Sequence, residues 1–161
     1  MTVLAYVALG SNLDAPARQL ATALDELDHL PATRLIASSS MYVTAPVGAR
    51  GPQPDYLNAV ALLRTGLAPR KLMRALQRLE RAHRRERGAR NAPRTLDLDL
   101  LLYGALRCRR PSLTVPHPRM HRRAFVLLPL LEIAPSVDVP GLGSALRFLP
   151  SVRRQRAVRA E

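Results

Sequence analysis

Residues 95–103 read Thr-Leu-Asp-Leu-Asp-Leu-Leu-Leu-Tyr. Alternation with period two is the repeat of a β-strand. Leu96, Leu98 and Leu100 point into a core, and Asp97 and Asp99 project together on the opposite face. The strand is half buried at its start and wholly apolar afterwards. Two carboxylates about 6 to 7 Å apart along a strand repel one another. A cation between them resolves this, and Mg²⁺ suits the place, because it binds through one or two carboxylates plus substrate phosphates and waters. The alternative is a solvated strand face on which Asp is merely polar.

The flanking sequence sets the fold around this strand. Residues 3–9 are apolar and read as a buried strand ended by Gly10-Ser11-Asn12. Asp14 is placed to cap a helix with Pro16 in its first turn. Leu20, Ala23, Leu24 and Leu27 then follow at helical spacing over 16–29. Residues 35–43 read as one strand. Residues 44–56 hold Pro46, Gly48, Gly51, Pro52 and Pro54, a long loop of the kind that serves as a lid. Residues 56–63 form a strand, and Pro69 opens a helix with Leu72, Leu76 and Leu79 on its apolar face, ending near Arg84. A cationic loop over 84–94 leads into the Asp strand. Residues 111–118 are extended. Residues 122–131 are a helix interrupted at Pro129, residues 137–139 a short strand, and the basic tail from 151 frays. The order strand, helix, strand, strand, helix, strand is the split βαβ of a ferredoxin-like α+β domain, with an antiparallel sheet and a βαββαβ core.

The chain has 161 residues, which fits a single domain over 1–161, and 47% of them are hydrophobic, too many for disorder. The longest apolar runs fall short of a bilayer span, and the first residues carry no leader pattern. Cys108 is the only cysteine. A reducing cytoplasm and a monomer are therefore expected, with no membrane partner. The net charge is +13, and Lys71 is the only lysine. Arginine in this abundance reflects either a compositional bias, since Ala, Pro and Leu are abundant too, or a strongly anionic partner matched by guanidinium.

The arginines cluster near the Asp pair. Arg84, Arg85, Arg87, Arg90 and Arg94 lie in the loop before it. Guanidiniums beside a metal pair are what a polyphosphate needs. His117, held in Val-Pro-His-Pro, either donates to a phosphate oxygen or is a turn residue. Arg122 and Arg123 are further cations or surface caps. No Walker-type loop is present, since Gly10-Ser11-Asn12 lacks the Gly-Lys-Ser/Thr ending.

Further pieces join these: Ala8-Leu9-Gly10-Ser11-Asn12-Leu13, Tyr42-x-Thr44 with Gly48, Pro54-Asp55-Tyr56-Leu57-Asn58, Glu80, Pro93-Arg94-Thr95-Leu96-Asp97-Leu98-Asp99, and Leu113-Thr114-Val115-Pro116-His117-Pro118 leading to Arg123 and Phe125. In this order, across 3–140, they resemble the 6-hydroxymethyl-7,8-dihydropterin pyrophosphokinase family of folate biosynthesis. The resemblance implies transfer of an intact pyrophosphoryl group from ATP to the pterin hydroxymethyl, giving AMP. It implies two Mg²⁺ ions on Asp97 and Asp99, a three-layer α-β-α form of the fold, and mobile catalytic loops. It assigns Arg85, Arg87, Arg94, His117 and Arg123 to the phosphates. It puts Gln77, Leu100, Leu113 and Thr114 around adenine and ribose, with Glu80 near the ATP site. Thr44, Val47, Tyr56, Asn58, Asp97 and Phe125 surround the pterin.

Departures from the family pattern fall before the Asp strand. Asn91 stands where the family carries a tryptophan over the pterin, and the chain has no tryptophan. Segment 81–92 is one residue shorter, and Arg84 replaces a glycine. Two other classes compete with the enzyme. An RNA-binding module would stack bases on sheet aromatics; with 4% aromatics and an acidic strand this chain is poorly suited, so no nucleic-acid partner is expected. An inactive homologue would lose metal or phosphate residues, and none is lost.

Overall fold

The structure is a computed structural model describing residues 1–13, 15–45, 54–86 and 96–160, without the side chains of residues 85 and 86. Strand β1 (Val3–Ser11) leads to helix α1 (Pro16–Asp28), followed by β2 (Thr33–Ser38), β3 (Tyr42–Thr44) and β4 (Tyr56–Thr65). Helix α2 (Pro69–Glu86) precedes β5 (Asp97–Tyr103) and the hairpin β6 (Cys108–Arg110) and β7 (Leu113–Val115). Helix α3 (Ala124–Ile133), the short pair β8 (Asp138–Val139) and β9 (Gly143–Ser144), α4 (Leu149–Val152) and β10 (Ala157–Arg159) complete the chain.

The main sheet runs β10-β3-β4-β1-β5, with β2 also on β4, and its pairings are antiparallel. Alternation along β1 sends Ala5, Val7 and Leu9 to one face, where they pack with Leu20, Ala23 and Leu27 of α1 and Leu72 and Leu76 of α2. Tyr6 and Ala8 go to the other face, against the cluster of Val126, Leu127 and Leu130 of α3. The strand at 97–103 joins the same two clusters, with Leu98 and Leu100 in the first and Leu102 in the second. Helices therefore cover both faces. No helix among the described residues is long and apolar enough to cross a membrane.

Several details depart from the sequence reading. The single strand expected over 35–43 is two, because its register against β4 slips. One shift falls between Leu35 and Ala37, and another residue is taken up between Ser38, opposite Ala61, and Tyr42, opposite Asn58. Ser39 bridges the break: its amide donates to Val60 O at 2.9 Å and its hydroxyl oxygen accepts the Val60 amide at 2.9 Å. The N-cap of α1 is Ala15, with φ 56° and no side-chain cap; Asp14 lies outside the described residues. Helix α3 continues through Pro129, whose missing N–H is outweighed by burial of its neighbours Leu127 and Leu130.

The tail is folded rather than frayed. Strand β10 pairs with β3, Ala157 facing Thr44. Gln155 accepts the Ala124 amide at 2.9 Å and donates to Arg122 O at 2.8 Å, which satisfies an otherwise orphan donor at the start of α3. Glu132 of α3 takes the Tyr42 hydroxyl at 2.6 Å, the Ser40 amide at 2.8 Å and Arg159 at 3.0 Å. The C-terminus thus fastens α3 to the edge of the sheet.

Candidate active site

The pairing register gathers the chemistry at one end of the sheet. Gly10 faces Asn58 across β4 and Asp97 across β5, and Ala8 faces Asp99. On β3, Tyr42 faces Asn58 and Thr44 faces Tyr56. Residues opposite one another share a face. Asn58 and Asp97 therefore flank Gly10, and Asp99 follows on the same side. It is the face that α3 covers, since Ala8 and Val60 pack with its cluster.

A cavity of about 300 Å³ opens over this row. Gly10 lies in its floor, Thr44, Tyr56 and Asn58 line one wall, and Asp97 and Asp99 line the other. Arg119, Arg123 and Phe125 close the side toward α3. Asn58 and Thr44 are buried, and Asn58 Nδ2 donates to Thr44 Oγ1 at 2.6 Å. That bond fixes the amide plane and leaves Oδ1 over Gly10. A Cβ at position 10 would stand 2.8 Å from Asn58 Oδ1, so any side chain there would have to displace the Asn58 amide. The Arg123 guanidinium lies 5.3 Å from the centre of the Phe125 ring, within cation–π range. Burial, with the Asp97 charge adding to it, raises the Tyr56 hydroxyl above its ordinary pKa of 10.0.

His117 stands at the edge of this field. Its Nδ1 accepts the Arg119 amide at 3.1 Å. A nitrogen that accepts cannot carry the proton, so the ring is a neutral Nε2–H donor. Burial holds its pKa below 6.5; the Asp99 carboxylate pulls upward, and Arg123 and Arg119 push further down. On the other side of β5, Glu80 Oε2 accepts the Leu98 amide at 3.3 Å, fixing the strand between the two aspartates. Among the described residues no group of three or more His, Cys, Asp and Glu is placed to cage a metal. Two carboxylates on one strand face suit Mg²⁺, which keeps waters and takes its remaining ligands from substrate phosphates.

Residues 6–135 match the family model for 7,8-dihydro-6-hydroxymethylpterin-pyrophosphokinase (HPPK). The chain belongs to the HPPK family. The 2-amino-4-hydroxy-6-hydroxymethyldihydropteridine pyrophosphokinase of Pseudomonas aeruginosa is 50% identical over 135 residues, 84% of this chain and 83% of that one. The Haemophilus influenzae protein of the same name is 48% identical over 138 residues, 86% of each chain. Among solved structures, an HPPK-DHPS of Plasmodium falciparum aligns with a TM-score of 0.76 at 14% identity, covering 93% of this chain and 45% of that one. At that identity the likeness concerns the fold, and this chain spans under half of the larger protein.

Within this HPPK chain the expected residues separate by position. Thr44, Tyr56, Asn58, Asp97, Asp99, Arg123 and Phe125 come together around one cavity. Glu80 meets the backbone of β5. Gln77 is exposed on α2. Leu100 and Leu113 turn their side chains into the core, so backbone is what they offer a nucleotide. The Thr114 hydroxyl donates to Arg110 O at 3.0 Å. Val47, Arg87, Asn91 and Arg94 lie outside the described residues, as does the side chain of Arg85. Arg119 was not foreseen. The available signal is its place two residues beyond His117, since a cation there is another candidate for an anionic ligand.

Proposed function

We propose that Asp97 and Asp99 hold the triphosphate of ATP through two Mg²⁺ ions, and that the cavity beside them binds the pterin alcohol. Pyrophosphate transfer to hydroxymethyldihydropterin, in folate biosynthesis, is the reaction of the HPPK family. The observation that carries the assignment of residues is their meeting in one cavity: the carboxylate pair, the Asn58–Thr44 pair and the Phe125 ring.

Asn58 has a fixed Oδ1 to accept from the pterin's amide-like edge, and Thr44 holds it there. Phe125 presents a ring against which the pterin lies, with Tyr56 beside it and Val47 as a further pterin contact. Arg123 and the Nε2–H of His117 donate to phosphate oxygens, and Arg85, near the end of α2, Arg87 and Arg94 add further donors. Gln77, Leu100, Leu113 and Thr114 surround the adenosine, and Glu80 steadies the strand beneath it. The acceptor oxygen attacks the β-phosphorus. The bond from that phosphorus to the α–β bridging oxygen breaks, AMP departs with the bridging oxygen, and the hydroxyl proton is released. Bound Mg²⁺ supplies neutralisation of the triphosphate and alignment of the hydroxyl.

The strand order supports a ferredoxin-like βαββαβ core in a three-layer α-β-α arrangement. The reading extends to one domain over 1–161, acting as a cytoplasmic monomer on small molecules. Its test is AMP formation when the purified protein meets ATP, Mg²⁺ and 6-hydroxymethyl-7,8-dihydropterin. Turnover that requires all three is expected; AMP no higher than without the pterin would overturn it.

A further inference from the structure

The acceptor cavity contains a cation that the reading above leaves without work. Arg119 lines it with Asp97, Asp99, Arg123 and Phe125. The residue is exposed, so its guanidinium stands at the mouth rather than in the wall. Its backbone is tied down, because the Arg119 amide donates to His117 Nδ1 at 3.1 Å. Met120, the next residue, is fully buried and donates to His117 O at 3.3 Å. Arg119 is therefore a charged side chain on a fixed base, turned toward a cavity that receives a reacting group. Its charge acts on His117 together with that of Arg123, which places both cations in the same field.

Charge balance says what such a cation meets. Before transfer the acceptor is a neutral alcohol. After it, the pterin oxygen carries a diphosphate, and the negative charge that belonged to ATP has moved to the acceptor side. In that reading Arg123 serves the phosphates of ATP, and its guanidinium also lies over the Phe125 ring at 5.3 Å. Arg119 shows no carboxylate partner among the described residues, so its donors are available to an incoming oxyanion. We infer that Arg119 contacts the transferred diphosphate on the acceptor side, and so recognises the phosphorylated pterin rather than the alcohol. This rests on the acceptor cavity proposed above.

The test compares Arg119→Ala and Arg119→Lys with the unaltered protein by equilibrium binding of two ligands, the pterin alcohol and its diphosphate product. A diphosphate contact predicts about tenfold weaker binding of the product to Arg119→Ala, from loss of a charge-assisted bond. Alcohol affinity stays within about twofold. Arg119→Lys recovers part of the product affinity, because a point charge remains. Product affinity unchanged in Arg119→Ala overturns the inference. Equal weakening of both ligands also overturns it, since that is the mark of a disturbed cavity. Phe125→Ala separates this inference from the reading it rests on: weakened binding of both ligands is expected there. Unchanged binding of both would contradict the placement of the acceptor site itself, whatever Arg119 does.

Discussion

Asn58 Oδ1 occupies the space that a side chain on Gly10 would fill, at 2.8 Å from where its Cβ would stand. The contact joins the middle of the sheet to the acceptor cavity, because Gly10 also faces Asp97. Gly10→Ala is expected to push the Asn58 amide off its bond to Thr44. The cost is about 1–3 kcal/mol of stability, by analogy with overpacked cores. The Michaelis constant for the pterin should rise while that for ATP changes less. Thermal melting and steady-state kinetics check both; a variant with unaltered melting and pterin constant would contradict the contact.

Glu80 tests a different support. Its carboxylate takes the Leu98 amide from the outer side of β5, the last strand of the main sheet. Glu80→Ala leaves that donor unpaired, with an expected loss of about 1–3 kcal/mol. Asp97 and Asp99 flank Leu98, so the Mg²⁺ concentration for half-maximal rate should rise as well. Glu80→Gln keeps an acceptor oxygen and should lose less on both measures. Full stability and an unchanged Mg²⁺ requirement in Glu80→Ala would refute this support.

The sequence made the Asp strand legible because a period of two on a leucine background has one structural meaning. The helices expected over 16–29 and from Pro69 to near Arg84 were legible for the corresponding reason at helical spacing, although the second runs on to Glu86, past the start expected for the cationic loop. What stayed hidden was set by pairing between distant segments. The break at Ser39 exists because β4 offers partners in two registers, and nothing within 35–43 announces it. The hairpin at 108–115 and the edge strand at 157–159 are short, and their order comes from neighbours such as Thr44 and Glu132. Asp97 and Asn58 were found separately by type and motif. That they flank Gly10 is a fact of sheet register, which local pattern cannot supply.

Glu132 gives the fold a pH signature. Burial acts to raise its pKa, but the bonds from Tyr42 and Ser40 and the charge of Arg159 outweigh it, so the carboxyl sits below its ordinary value of 4.5. The folded state therefore gives up this proton more readily than the unfolded one. The contribution is fully present above about pH 4.5 and is lost as pH falls through the depressed value. Glu132→Gln should melt at lower temperature at neutral pH, with a stability loss of about 1–2 kcal/mol for bonds to a charged group. The gap from the unaltered protein should narrow as the pH is taken below 4.5. A gap that is constant from pH 7 to pH 3 would rule out the carboxylate as its source.

The carboxylate pair carries the account. The most direct measurement is the rate of AMP formation against Mg²⁺ concentration for Asp97→Asn, Asp99→Asn and the unaltered protein, with melting recorded for each. Both variants should melt as the unaltered protein does and lose at least about a thousandfold in rate, in the range seen when transition-state charge stabilisation is removed. Excess Mg²⁺ should not restore it. A well-folded variant turning over at the unaltered rate, with the unaltered Mg²⁺ dependence, would contradict the central claim that Asp97 and Asp99 together hold the metal at the transferred phosphates.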